Sequence, residues 1–198
     1  MRAAAHFARV RPGAHPLLAS PCYVIIDSAL ALTGSRLEVT GRLPDRPVLI
    51  ATNSTQRNDF IALRRIVHAA GHDAVTLMKP KYLQSAIARA FLGQLGGIPL
   101  ASRGFLITHD FRSLLGRRPG EAEYRALRDH VDHDQPIDTA RAPGAGILMR
   151  TRHSLLGRSF DPARQSYPDF VRDVFLEVTE GTLETLRQSV AARRHVHV

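Results

Sequence analysis

Three polar residues that could take part in chemistry follow a short apolar run near residue 50. The run PVLIA, at 47–51, is typical of a strand in the interior of a sheet. Asn53, Ser54 and Asp59 come shortly after it. Because ligand sites in parallel α/β sheets gather at the carboxyl ends of the strands, this stretch is the first candidate for a functional site.

Ser54 cannot act as a general base, since a hydroxyl has no useful basicity near neutral pH. It could carry an acyl group as a nucleophile only if an activating base lay within hydrogen-bond distance. The sequence offers His68, His72 and His109 as bases, but no spacing assigns one of them to Ser54.

Further along the chain, cationic residues follow two more predicted strands. Lys79 comes directly after the apolar segment 74–78, and Arg103 follows Gly-Gly-Ile-Pro-Leu at 96–100. A guanidinium presents a bidentate fork to phosphate oxygens, so Arg103 is the best candidate for a phosphate contact. The alternative for Arg103 is an exposed side chain that pairs with a nearby carboxylate.

These blocks resemble those of the glycerolipid acyltransferase superfamily, whose best-known members are the lysophosphatidate acyltransferases. In that family the first strand ends in Asn-His, followed by four residues and Asp. Asn53 and Asp59 match the Asn and the Asp, while Ser54 stands at the position of the catalytic His. Lys79 matches the family Lys, and the block at 96–100 with Arg103 matches a Gly-x-Ile-Pro-Val-x-Arg block with one extra residue. The resemblance covers about residues 37–104.

The resemblance implies an α/β layered domain with a central, mostly parallel sheet flanked by helices. It implies transfer of a fatty acyl group, in phospholipid or glycerolipid biosynthesis, from acyl-CoA or acyl-carrier protein to a lysophospholipid or glycerol-phosphate hydroxyl. It also implies that no metal or redox cofactor is needed and that the protein works at the cytoplasmic face of a membrane, as a peripheral protein. Ser54 and Asp59 would mark the catalytic position, and Asn53, Lys79 and Arg103 would bind substrate.

Two departures from the family pattern leave alternatives open. The first is Ser54 in place of the His. The second is that the family's third block, Pro-Glu-Gly-Thr-Arg, has no match. Residues 179–182, Thr-Glu-Gly-Thr, resemble it, but they fall inside a helical pattern and are followed by Leu183 instead of Arg. The final HVHV looks like the strand that leads into that block, so we expect a truncated member whose sheet is open at one edge. One alternative is a catalytically inactive, lipid-binding relative, and another is a basic nucleic-acid-binding domain.

Composition limits these choices. The 198 residues are 44% hydrophobic and 23% charged, which is typical of one globular domain, and the single cysteine, Cys22, excludes a disulfide scaffold. The net charge of +9 comes mostly from arginines that are scattered along the chain, and no nucleic-acid motif accompanies them, so no nucleic acid is expected as a partner. His195 and His197 alternate on one strand face, but no third ligand is spaced to complete a metal site.

Periodicity predicts the elements that must position these residues. We expect a flexible basic N-terminus over 1–16 and a single acyltransferase-like domain over 17–198. The segment 17–33 predicts a helix that either packs on the core or lies on a membrane surface, and its Pro21 and Asp27 argue against a secretory signal. Strands are predicted at 37–40, 47–51, 74–78, 98–100 and 147–149, helices at 59–70, 82–95, 108–115, 120–130 and from 168 onward, and a surface loop at 132–146.

Overall fold

The computed structural model describes residues 16–34, 37–52, 59–83 and 85–198, with the side chains of 16–20 left out. Nearly all of the expected N-terminal segment, and both Asn53 and Ser54, lie outside these residues. By its internal contacts the chain divides into two compact units. We call Ala101–Gly181 the helical unit, and the described residues up to Leu100 together with Thr182–Val198 the sheet unit. One domain over 17–198 stays a prediction, because two contact units can belong to one domain.

The sheet unit is an α/β structure, as the order of strand and helix signals predicts. Its elements are α1 (Pro16–Leu32), β1 (Leu49–Ile50), α2 (Asp59–Ala69), β2 (Ala74–Met78), a 3₁₀ turn (Pro80–Leu83), α3 (Ala86–Gln94) and β3 (Gly97–Pro99). The helical unit follows with α4 (Arg103–Leu115), α5 (Glu121–His133), α6 (Pro143–Arg150), β4 (His153–Leu155), β5 (Arg158–Phe160) and the start of α7 (Tyr167–Ala191). The end of α7 and β6 (His195–His197) return to the sheet unit.

The four strands of the sheet unit form a parallel sheet in the order β1-β6-β2-β3. The last strand therefore lies inside the sheet, with Val196 opposite Leu49 on one side and opposite Val75 on the other. Among the described residues β6 is thus paired on both sides, and β1 and β3 form the edges of the sheet. That the sheet is incomplete at one edge stays a prediction.

Helices flank this sheet, whose strands β2, β3 and β6 are almost entirely buried. Leu186, in the C-terminal part of α7, packs against Val75, Ile98 and Val196. A separate cluster joins Met78 at the end of β2 to α3. Through Leu186, α7, which is the long amphipathic helix predicted after residue 168, covers β2, β3 and β6.

The helical unit buries a larger apolar core. Its largest buried side chains include Phe111, Phe160 and Tyr167, and the hairpin of β4 and β5 packs its Leu155 into the same cluster. Residues 179–182, which resemble the family's third block, lie within α7. The prediction that they are helical, and so do not form that block, is confirmed.

Two local predictions are wrong, and a third is correct only in part. Residues 37–40 are not a strand, and no partner strand pairs with them in the described part of the chain. Residues 143–150 form α6 rather than a loop and a strand: Pro143 suits a first helical turn, and Gly144 sits so close to Glu123 and Phe111 that a Cβ there would lie 2.7 Å from the Glu123 carboxylate. The helix expected at 82–95 is divided into the 3₁₀ turn and α3.

Helix α1 confirms the predicted helix at 17–33, and one of its faces packs into an apolar cluster of the sheet unit. Cys22, Tyr23 and Ile26 are buried against Leu95, while Val24 and Ile25 are exposed. Within the described residues, no helix combines the length and the apolar character needed to cross a membrane.

Candidate functional site

A hydroxyl and an imidazole meet at the carboxyl ends of two neighbouring strands. Thr52 follows β1 and His197 ends β6, and His197 Nε2 lies 2.8 Å from Thr52 Oγ1. On the other side of the ring, His197 Nδ1 lies 3.4 Å from Thr76 Oγ1 in β2. This is the edge of the sheet at which the sequence predicts a site, because parallel strands end there together.

The strand pairing explains this contact. Ile50 lies opposite His197 in the register of β1 and β6, so the chain that leaves β1 passes beside the imidazole. Thr76 lies opposite His197 in the register of β6 and β2, which brings the second hydroxyl to the same ring. Side chains two residues apart point to the same face of a strand, so His195 shares this face while Val196 enters the apolar cluster on the other.

The environment of His197 favours a neutral imidazole. The side chain is buried, and burial lowers its pKa, which the positive charge of Arg64 lowers further. Thr52, by contrast, is exposed. The arrangement therefore places an accessible hydroxyl within hydrogen-bond distance of a neutral ring that can accept its proton.

His195 has a different role from His197. Its Nδ1 accepts a hydrogen bond of 3.3 Å from the Val48 backbone N–H, so its proton sits on Nε2, and its ring meets that of His72 edge to face. Burial is the main cause that lowers the pKa of His195. In the part of the chain that the structure describes, no cluster of His, Cys, Asp or Glu side chains could hold a metal ion.

Two of the residues that the resemblance selects lie in the sheet unit near strand ends. Asp59 is the first residue of α2, partly buried, at a position where a helix N-terminus favours an acidic side chain. Lys79 directly follows β2 and is exposed. Asn53 and Ser54 stay predictions, since both lie outside the described residues.

Arg103 belongs to the helical unit, where it begins α4 behind the N-cap residue Ser102. Its guanidinium forms an ion pair of 2.9 Å with Asp132 and lies 5.6 Å from the centre of the Phe175 ring. The arrangement observed is the one that the alternative for Arg103 predicts, a partly exposed arginine paired with a carboxylate. Its role in binding phosphate stays a prediction.

A cleft of about 700 Å³ opens in the sheet unit between α1, α2 and the segment 37–45. Its apolar lining includes Leu30, Leu37, Val39, Leu43 and Ile66. Charged side chains also line it: Asp27, Arg42, Asp45 and Arg65. Because residues 43 and 45 precede β1, this cleft lies toward the amino ends of the strands, away from the pair formed by Thr52 and His197.

A buried polar cluster lies in the core of the helical unit. Asp110, fully buried, accepts a hydrogen bond of 3.0 Å from the Tyr167 hydroxyl, and its Oδ2 lies 2.9 Å from His153 Nε2. His153 Nδ1 lies 2.7 Å from the Thr151 carbonyl. Burial raises the pKa of Tyr167 well above its usual value. With both partners and the carboxylate buried, the cluster ties α4 to β4 and α7 rather than opening to a substrate.

His197 is the residue that sequence reasoning missed as a partner for the hydroxyls after β1. The alternation in HVHV predicts a strand and two possible metal ligands, but no spacing in the sequence links His197 to the hydroxyls after β1. A single strand-order assumption, β6 beside β1, would have identified it.

Comparison of the chain with protein-family models, with curated proteins and with solved structures gives no match.

Proposed function

We propose that this protein is an acyltransferase of the glycerolipid type. It would move a fatty acyl group from acyl-CoA or acyl-carrier protein to a lysophospholipid or glycerol-phosphate hydroxyl. The observation that carries the proposal is the gathering of the resembling blocks on one parallel sheet: β1 leads to Asn53 and Ser54, Lys79 follows β2, and β3 is the Gly-Ile-Pro of the second block.

The positions of the matching segments in the sheet support this function. Asp59 begins the helix after β1, and β3 lies beside β2, so the segments that match the family end at the same edge. In the proposal, Ser54 and Asp59 mark the catalytic position, Asn53, Lys79 and Arg103 bind substrate, and the protein acts as a peripheral protein at the cytoplasmic face of a membrane. The acyltransferase-like version of the α/β fold is part of the same proposal.

The experiment is an acyl-transfer assay with a long-chain acyl-CoA and either lysophosphatidate or glycerol phosphate. CoA release and the acylated lipid are measured in the same reaction. Asp59→Asn keeps the shape of the side chain but removes its charge, and should lower the rate at least about 100-fold if the carboxylate serves catalysis. Asp173→Asn, on an exposed position of α7, is the matched control and should retain the parent rate.

A folded parent protein without transfer to either acceptor would refute the proposal. Equal rates for the two aspartate variants would instead leave transfer standing and remove Asp59 from the site. Circular dichroism of each protein separates loss of activity from loss of structure.

The cleft lined by α1, α2 and the segment 37–45 favours a second candidate, binding of a lipid without catalysis. Its apolar side chains suit an acyl chain, and Arg42 offers a cation to an anionic head group, whereas Arg65 is paired with Asp27. Binding of a fluorescent fatty acid should weaken in Val39→Gln, which places an amide in the lining. Val190→Gln, at a similarly exposed valine of α7, should bind as the parent does. Equal affinities would contradict this candidate.

A further inference from the structure

We infer that Thr52 and His197 act as a nucleophile and its base, so that the acyl group is carried on Thr52 during transfer. The inference rests on the proposed acyl-transfer function and deepens it, because it gives the reaction a covalent intermediate. It also supplies the base that the serine at the family's histidine position lacks.

The distances from the His197 ring to the Thr52 and Thr76 hydroxyls are those expected for an activated hydroxyl. In the tautomer that carries its proton on Nδ1, the His197 ring donates to Thr76 Oγ1, and Nε2 accepts from the Thr52 hydroxyl at 2.8 Å. A nucleophile within hydrogen-bond distance of a base, with the base oriented by a third group, is the arrangement found in covalent catalysis. Thr76 is a positioning residue, since its hydroxyl contacts the ring of His197 and not the reacting hydroxyl of Thr52.

The burial pattern fits these roles. His197 is only 5% exposed and Thr76 only 2%, so the ring is held by packing in a fixed orientation. Thr52 is exposed, and its hydroxyl can meet a thioester that approaches from solvent. Arg64 places a positive charge near the ring, which favours the neutral, basic form of His197.

The chemical step balances without another reactant. Thr52 Oγ1 attacks the carbonyl carbon of the acyl thioester, the C–S bond breaks, and His197 Nε2 takes the hydroxyl proton and passes it to the departing thiolate. An oxygen ester on Thr52 and a free thiol result. In the second half, the acceptor hydroxyl attacks this ester, His197 takes the acceptor's proton, and that proton returns to Thr52 Oγ1 as the ester bond breaks.

The test is acylation of the whole protein without acceptor. The protein is incubated with palmitoyl-CoA and quenched in acid, its intact mass is measured, and the adduct is located by peptide mapping. We expect one acyl group on Thr52 in the parent, none at position 52 in Thr52→Val, and formation at least about 100-fold slower in His197→Gln. Thr52→Ser keeps a hydroxyl and should be acylated.

His195→Gln is the matched control for His197→Gln. It changes a buried histidine on the same strand and the same face but leaves the Thr52 contact intact, so it should acylate at the parent rate. If His195→Gln and His197→Gln lose acylation equally while circular dichroism shows both folded, His197 is not the specific base and the inference falls.

Measuring transfer to lysophosphatidate in parallel separates this inference from the proposed function. Transfer that persists in Thr52→Val, or an adduct on Ser54 instead, would overturn the inference and leave the acyltransferase standing. An adduct on Thr52 without transfer would support the inference and refute the proposal that lysophosphatidate is the acceptor. A folded parent protein that gives neither adduct nor transfer would overturn both.

Discussion

His153 Nε2 lies 2.9 Å from Asp110 Oδ2, and the pair is buried in the core of the helical unit. A carbonyl only accepts hydrogen bonds, so the contact of His153 Nδ1 with the Thr151 carbonyl requires a proton on Nδ1. A second proton must then lie between Nε2 and the carboxylate. The pair therefore shares one proton and carries no net charge, so neither group is an unpaired buried charge.

The stability of the helical unit should fall as the pH rises above 6.5. Burial acts to lower the pKa of His153, but the hydrogen bonds to Asp110 and to Thr151, together with the charge of Asp110, raise it above the ordinary value of 6.5. The native state thus binds the proton more tightly than the unfolded state does. Its contribution is complete below pH 6.5 and is lost as the pH rises through the raised pKa.

The measurement is the free energy of unfolding in urea between pH 5 and pH 9, compared between the parent and His153→Gln. The difference between the two should shrink as the pH rises. His133→Gln, at an exposed histidine near the end of α5, is the control and should change the free energy of unfolding by less than about 0.5 kcal/mol. A difference that grows with pH for His153→Gln would contradict the assigned proton.

Removal of the Tyr167 hydroxyl should destabilise the protein by about 1–3 kcal/mol, because the buried Asp110 Oδ2 loses one of its two hydrogen-bond partners and keeps only His153. The variant is Tyr167→Phe, with urea unfolding as the measurement. Tyr124→Phe in the same unit is the matched control, since Tyr124 is only partly buried, and it should change stability by less than about 0.5 kcal/mol. Equal effects would show that the hydrogen bond to Asp110 contributes nothing particular.

Arg64 should be far more sensitive to a conservative change than its neighbour Arg65. Its buried guanidinium donates to the Ala74 carbonyl, the Tyr23 hydroxyl and Asp73 Oδ1. A lysine cannot reach three acceptors in this geometry, so Arg64→Lys should cost about 1.5–3 kcal/mol in unfolding free energy.

Arg65→Lys is the control for Arg64→Lys. Arg65 pairs with Asp27, and both side chains are open to solvent, so the change should cost less than about 1 kcal/mol. Similar costs for the two variants would indicate that the bonds of Arg64 are not what holds α2 to β2.

Two glycines should respond to alanine in opposite directions. A Cβ on Gly97 would lie 2.9 Å from the Leu92 carbonyl and closer still to the end of Met78, so Gly97→Ala should destabilise by about 1–3 kcal/mol. A Cβ on Gly93, in helix α3, would meet no atom within 4 Å, and Gly93→Ala should stabilise by about 0.5–1 kcal/mol. Thermal unfolding of both variants checks the signs, and a stable Gly97→Ala would show that β3 has room for a side chain.

The elements with strong local signals could be predicted from the sequence. The apolar segment 74–78 became β2 with the predicted bounds, and the helices beginning at Asp59 and near Pro168 follow the spacing of their apolar residues. Their signals lie within the element, where periodicity and end residues such as Gly71 act over a few positions. α6 was missed because its small residues are explained only by what packs on Gly144.

The sequence by itself determined the α/β class, the parallel strands and the region in which polar residues follow β1. Only the tertiary structure decided that β6 enters between β1 and β2, because strand order depends on pairing between segments nearly 150 residues apart and leaves no local pattern. That pairing brings His197 to Thr52, and the same folding pairs Arg103 with Asp132. Residue types fix which chemistry is available, and long-range packing fixes which groups meet.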